Sequence, residues 1–178
     1  MNTLFSHVCV VTMDERMSGW TDAFVGVTDG KISYLSKHAP EEKPAQIIDA
    51  TGMVLMPGLI NCHTHLPMQL LRGYADDLKL QEWLNDYIFP REDRLDGRCV
   101  RAATTLAVAE CLKFGVTSVS DMYYFCDDIC DVIAKSGMKA NISRGTSMFL
   151  GDDFDFEKFP ACQELVALKN KWHNFDGG

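Results

Sequence analysis

Two histidines one residue apart, His63 and His65, sit in the stretch LINCHTHLPMQLLRG (Leu59 to Gly73), directly after a short apolar run. On a β-strand alternate side chains share a face, so the two imidazoles project together and Thr64 points the other way. Two imidazoles held on one face can chelate a single transition metal, each through one ring nitrogen. Taken alone, a His-Thr-His triplet is more often an incidental surface or core pair. Its place at the end of an apolar strand raises the metal reading, because parallel α/β architectures mount their chemistry at C-terminal strand ends.

Two more strand-like runs place a charge near their ends. The strand in VTSVSDMYY is expected to finish on Asp121, and that in MKANISRG on Arg144. Asp121 reads either as a helix cap or outer support for a ligand, or as a direct participant. Arg144 reads either as a surface ion pair or as an anion-binding group.

The elements that must position these residues come in two patterns. Residues 1–56 read as short strands with turns: HVCVVTM, AFVGVTDGKISYLS and QIIDATGMVLMPG. Asp29-Gly30 between two β-rich runs is a hairpin signal. From Val54 onward strands alternate with helices. VLMPGLIN is an apolar strand interrupted at Pro57-Gly58. MQLLRGYADDLKLQEWLNDYIFPRE has helical spacing at Leu80, Leu84 and Ile88, and Pro90 is expected to end that helix. DGRCVRAATTLAVAECLKFG is the clearest helix, with Asp96 as N-cap and Gly115 just past its end. DDICDVIAKSG is a helix closed by Gly137, and another follows Pro160. This β, α, β, α, β, α order implies a parallel sheet with crossover helices. The expected domains are therefore 1–56, a small β unit, and 57–178, an α/β unit.

Composition bounds the function. The 178 residues are 47% hydrophobic and 24% charged, as in ordinary globular proteins. A formal charge of −8 disfavours general nucleic-acid binding. No apolar run approaches the roughly 18 residues of a membrane helix, and the N-terminus lacks a basic n-region, so no secretion signal is read. Seven cysteines without framework spacing fit free thiols in a reducing cytoplasm. Cys126 and Cys130 lie four apart on a helix and Cys62 sits within the histidine stretch, but no further thiol ligands appear at fixed spacing. The acidic GDDFDFE stretch lacks calcium-loop spacing and reads as a solvated loop.

MPGLINCHTH (Met56 to His65), followed by PMQLLRGYADDLKLQEWLNDYIFPRE (Pro67 to Glu92), resembles the amidohydrolase superfamily. The likeness is greatest to the 5-methylthioadenosine/S-adenosylhomocysteine deaminases and their chlorohydrolase-like relatives, and it continues through GVTSVSDMYY and SRG. The resemblance implies a (β/α)₈ TIM-type barrel, of which about the first three βα units are here, preceded by a small β-sandwich-like unit. It implies that His63 and His65 bind one divalent metal, usually zinc, with iron or manganese as alternatives. It places Glu92 on ribose hydroxyls, Trp83 against the substrate and Arg144 on a terminal carboxylate. The implied reaction is hydrolytic deamination of an adenine nucleoside, with a metal-activated water attacking C6.

The sequence departs from that pattern in two ways. The family's remaining metal ligands and its catalytic glutamate are expected beyond Gly178, so no catalytic residue is assigned here and the chain alone is expected to be inactive. The family's S-adenosylhomocysteine-type members often carry a second arginine after the Arg-Gly; here TSMFLGDDFDFEK stands instead, which favours methylthioadenosine-like or other heterocyclic substrates. His173 reads as a surface residue, and His7 and His38 carry no site argument. A guanine deaminase-like or triazine hydrolase-like enzyme is the alternative within the class, and a non-catalytic binding or assembly piece is the alternative outside it. An incomplete barrel would leave a bare strand edge, so association between copies is expected.

Overall fold

The computed structural model describes residues 1–146 and 153–175. Residues 147–152, within the stretch after Arg144 that bears on substrate choice, lie outside the described residues, as does part of the acidic GDDFDFE run. The chain is a mixed α/β protein that divides into two compact units, Met1–Pro57 and Gly58–Gly178.

The first unit is one five-stranded sheet. It contains β1 (Thr3–Val11), β2 (Gly19–Thr28), β3 (Lys31–Ser36), β4 (Gln46–Asp49) and β5 (Val54–Leu55). β1 is central: it pairs antiparallel with β2 and parallel with both β4 and β5. Alternation along β1 sends Leu4, Ser6, Val8 and Val10 inward, where Val8 and Val10 pack with Ala23, Val25 and Ala50. The β2–β3 hairpin turns through Asp29 (φ 49°) and Gly30 (φ 74°), the two left-handed positions that a two-residue type I′ turn requires.

Among its described residues, the second unit carries three parallel strands in the order β6 (Leu59–Thr64), β7 (Val116–Tyr123) and β8 (Lys139–Arg144). Helix α3 (Gly97–Lys113) connects β6 to β7, α4 (Cys126–Ser136) connects β7 to β8, and α5 (Pro160–Trp172) follows. Asp96 caps α3 by accepting the Cys99 N–H at 2.7 Å. Gly115 (φ 79°) and Gly137 (φ 76°) close α3 and α4 in the left-handed conformation that glycine adopts at least cost. The core joins Val100, Ala107 and Val108 of α3, Val119 and Tyr123 of β7, and Ile129 and Ile133 of α4.

Between β6 and α3 the chain forms a 3₁₀ helix (Leu66–Leu71), then α1 (Leu80–Glu82), a π-helical segment (Trp83–Ile88) and α2 (Phe89–Glu92). The helix therefore continues past Pro90 to Glu92, against the expectation from proline. The π segment explains this. Its wider turn has the Phe89 N–H reach back to the Leu84 carbonyl, five residues away, which puts Pro90 at the start of a new α turn where its missing N–H is harmless. Farther upstream, Arg72 forks onto Glu110 of α3 at 2.5 and 3.1 Å, and Gln69 donates to the same carboxylate at 2.8 Å. These bonds fasten the segment after the histidines to the long helix.

Candidate metal centre

β6 reaches the site through a register irregularity. Asn61 stands opposite Val119, but Thr64 stands opposite Asp121, so β6 fits one extra residue at Cys62–His63. Bulges in parallel pairs are rare and re-aim the side chains beside them. The Asn61 carboxamide steadies this one by accepting the His63 N–H at 3.2 Å. β6 ends at Thr64, and His65 follows it at φ −133°, ψ 74°.

The two imidazoles meet. Nε2 of His63 and Nε2 of His65 lie 3.3 Å apart, with the rings nearly perpendicular at 80°. Nδ1 of His65 lies 2.7 Å from the Met122 carbonyl oxygen. A carbonyl only accepts, so Nδ1 carries the proton, and in the neutral imidazole Nε2 of His65 then presents its lone pair. This is how metal-binding imidazoles are usually oriented. Two nitrogens bound to one tetrahedral zinc stand roughly 3.3–3.4 Å apart, given Zn–N distances of about 2.0–2.1 Å. The pair fits a shared cation on that measure. Without a cation, the same separation suits a hydrogen bond from His63 Nε2–H to His65. Among the described residues, no group of three or more His, Cys, Asp or Glu side chains could hold a metal ion.

Thr64, between the two histidines, is held on β7. Its hydroxyl lies 3.0 Å from the Ser120 carbonyl and 2.7 Å from Asp121 Oδ1. Asp121 is 1% exposed and also accepts the Leu66 N–H at 2.6 Å. It thereby caps, from a neighbouring strand, the 3₁₀ helix that opens immediately after His65. Burial pushes the Asp121 carboxyl above its ordinary range, and these two hydrogen bonds pull it back only in part. The carboxylate thus grips the residues on either side of His65. β7 runs past Asp121 to Tyr123.

Tyr123 and Glu92 form the next layer. The Tyr123 hydroxyl donates to Glu92 Oε1 at 2.7 Å, and the Tyr123 ring centroid lies 6.3 Å from that of His65. Burial, with the Glu92 carboxylate beside it, pushes the Tyr123 hydroxyl far above its usual range, so it stays a donor. Glu92 and Arg144 line one cleft of about 970 Å³, together with Tyr124, Cys126, Glu164 and Lys171 among others. The Arg144 guanidinium lies over the Tyr124 ring at 4.8 Å, pairs through Nε with Glu164 Oε2 at 2.5 Å and donates to the Gly145 carbonyl. Trp83 is half-buried on the π segment and is not among the residues lining that cleft.

His63 and His65 are thus brought together with Asp121 beneath them, and Glu92 and Arg144 share a cleft linked to them through Tyr123. Sequence reasoning missed Tyr123, Glu164 and the Met122 carbonyl. The first tyrosine in DMYY was a signal for Tyr123, since a buried tyrosine hydroxyl needs a partner. Nothing local could have announced the carbonyl. The cysteines are all free. Burial pushes the Cys126 thiol to about 11 and Cys130 to about 12, so neither offers a thiolate at neutral pH. No helix among the described residues is long and apolar enough to cross a membrane.

Comparison with known proteins points one way. The sequence is 40% identical over 142 residues to a 5′-deoxyadenosine deaminase of Methanosarcina acetivorans, covering 80% of this chain and 33% of that protein. It is 38% identical over 175 residues to a 5-methylthioadenosine/S-adenosylhomocysteine deaminase of Pelotomaculum thermopropionicum, covering 97% of this chain and 39% of that protein. The chain therefore spans about a third of the length of the curated relatives it matches. A zinc-bound adenosine deaminase from Xanthomonas campestris superposes with a TM-score of 0.70 at 36% identity, over 78% of this chain and 33% of that one. A zinc complex of atrazine chlorohydrolase from Arthrobacter aurescens superposes at 0.81 with 21% identity, over 96% of this chain and 43% of that one, a likeness of fold. Residues 54–167 match the profile of the Amidohydrolase family, and the chain belongs to that family.

Proposed function

We propose that this chain supplies the first metal ligands and part of the substrate cleft of a hydrolytic deaminase acting on adenine nucleosides such as 5′-deoxyadenosine or 5-methylthioadenosine. The observation that carries the reading is the 3.3 Å approach of two imidazole Nε2 atoms, one of them fixed in the ligand tautomer by a backbone carbonyl. The names of the relatives support the substrate class.

In this reading His63 and His65 hold one divalent cation, zinc by preference. Such a cation would supply Lewis-acid activation of water for attack on the ring carbon that bears the amino group. The protein's own residues do the rest of what falls to this stretch. The Met122 carbonyl keeps the His65 proton on Nδ1. Asp121 and Thr64 fix the turn that carries both rings. Glu92, already accepting from Tyr123, has carboxylate capacity left for a ribose hydroxyl. Trp83 packs against the substrate and Arg144 lies toward its 5′ end.

The parallel order β6-β7-β8 with α3 and α4 as crossovers fits the first three βα units of a TIM-type barrel, and the first unit fits part of a β-sandwich. Seven free cysteines suit a reducing cytoplasm. Two imidazoles leave a catalytic zinc short of its usual three protein ligands. The 178-residue chain by itself therefore does not turn over substrate, and the general acid-base group and remaining ligands come from elsewhere in the enzyme.

The test is ammonia release from 5′-deoxyadenosine and 5-methylthioadenosine by the zinc-loaded complete protein, beside its His63→Ala and His65→Ala variants. Turnover by the wild type that falls at least about a hundredfold in either variant supports the reading. Equal turnover in all three proteins, or none in the wild type, contradicts it.

A further inference from the structure

Among the described residues, the cleft that holds Glu92 is lined by two cations, Arg144 and Lys171, and both are already committed. Lys171 lies 2.7 and 2.8 Å from the two oxygens of Asp127, which also accepts the Trp172 indole N–H at 2.7 Å. Arg144 gives Nε to Glu164, donates to the Gly145 carbonyl and covers one face with Tyr124. Its side chain is only 18% exposed, whereas that of Glu164 is 58% exposed. The arginine is therefore seated in the wall, and the glutamate stands on the solvent side of the pair.

An incoming carboxylate finds no unneutralised cation among the described residues of the cleft. To fork onto Arg144 it must displace Glu164 or share the guanidinium with it, and sharing brings two like charges together. An uncharged group suffers neither penalty and can rest on the Tyr124 ring and the arginine's stem. We propose that Glu164 is a specificity-determining residue: by holding Arg144 it makes the cleft select nucleosides with an uncharged 5′ substituent over those whose 5′ tail ends in a carboxylate. The inference rests on the nucleoside deaminase reading above and goes beyond it in naming the residue that sets the tail.

The experiment compares the zinc-loaded complete protein with Glu164→Gln and Glu164→Asp. For each protein, kcat/KM and calorimetric dissociation constants are measured for 5′-deoxyadenosine and for S-adenosylhomocysteine, whose tail carries a carboxylate. The exposed position of Glu164 means that the amide is accommodated without refolding the cleft. The wild type is expected to prefer 5′-deoxyadenosine. Glu164→Gln should shift the ratio of the two kcat/KM values toward S-adenosylhomocysteine by about tenfold, the worth of one released charge-assisted hydrogen bond. Glu164→Asp, which keeps the charge, should stay near the wild-type ratio.

An unchanged ratio in Glu164→Gln overturns the inference while leaving the deaminase reading intact. So does a shift the other way, which would mean that Glu164 binds the ammonium of the tail. Failure of the wild type to bind or deaminate either nucleoside overturns the deaminase reading, and the inference falls with it.

Discussion

His65 depends on groups that are distant in sequence. The Met122 carbonyl sets its tautomer, and Asp121 holds the Leu66 amide beside it, in both cases across the β6–β7 pair. Replacing Asp121 with Ala strands the Leu66 N–H in a buried place. Loss of such an acceptor costs about 1–3 kcal/mol, so urea denaturation should show a clear drop, with Asp121→Asn affected less because its carbonyl can still accept. An unchanged midpoint for Asp121→Ala would mean that the amide finds another acceptor and that the aspartate does not position the turn. At this scale the sequence is readable only where chemistry is local. A strand has a period of two, so the spacing of residues 63 and 65 implies one face. The carbonyl at 122, the hydroxyl of Tyr123 and the carboxylate of Glu164 come from other elements, and no local spacing relates them to the residues they serve.

The elements were legible where local signals agree. Asp29-Gly30 signals a tight hairpin because both residues tolerate positive φ, and Asp96 signals a helix start because its side chain can satisfy an orphan N–H. Pro90 misled because a π turn absorbs it, and a π turn leaves no mark in hydrophobic spacing. The bulge before His63 was hidden for the same reason. The Cys99 N–H holds the Asp96 carboxyl below its ordinary 3.8. Its ionised form therefore stabilises α3 above that value, and the benefit is lost as the pH falls through the lower folded-state value. Thermal melts of wild type and Asp96→Ala should differ most near neutral pH and converge below about pH 4; a gap independent of pH would contradict the cap's ionic contribution. Gly58 marks a close approach of β6 and β7. A Cβ there would collide with the Thr117 side chain, and the β-branched threonine has little freedom to yield. Gly58→Ala should cost about 1–3 kcal/mol in chemical denaturation, and a neutral result would show that the β6–β7 contact is looser than described.

At the scale of the whole molecule, the second unit's sheet among the described residues has β6 at one edge, with Leu59 and Ile60 51% and 68% exposed. An edge strand with exposed apolar side chains associates with other surfaces. The 178-residue chain alone is expected to sediment with a concentration-dependent coefficient, and Ile60→Lys should reduce that dependence. Sedimentation as a monomer at all concentrations would contradict the expectation. The parallel sheet and its crossovers were legible from the alternation of strands and helices. The pairing of β1 with three other strands was not, because β4 and β5 join it through non-local contacts that short β runs do not specify.

The account stands on a shared cation between residues 63 and 65. Zinc-edge X-ray absorption of the zinc-loaded complete protein measures this most directly. The expected spectrum shows imidazole nitrogen scattering at about 2.0–2.1 Å, and in the His63→Ala/His65→Ala double variant that scattering falls by two nitrogens, with bound zinc reduced or lost. An identical spectrum and zinc content in the double variant would place the metal elsewhere and contradict the account.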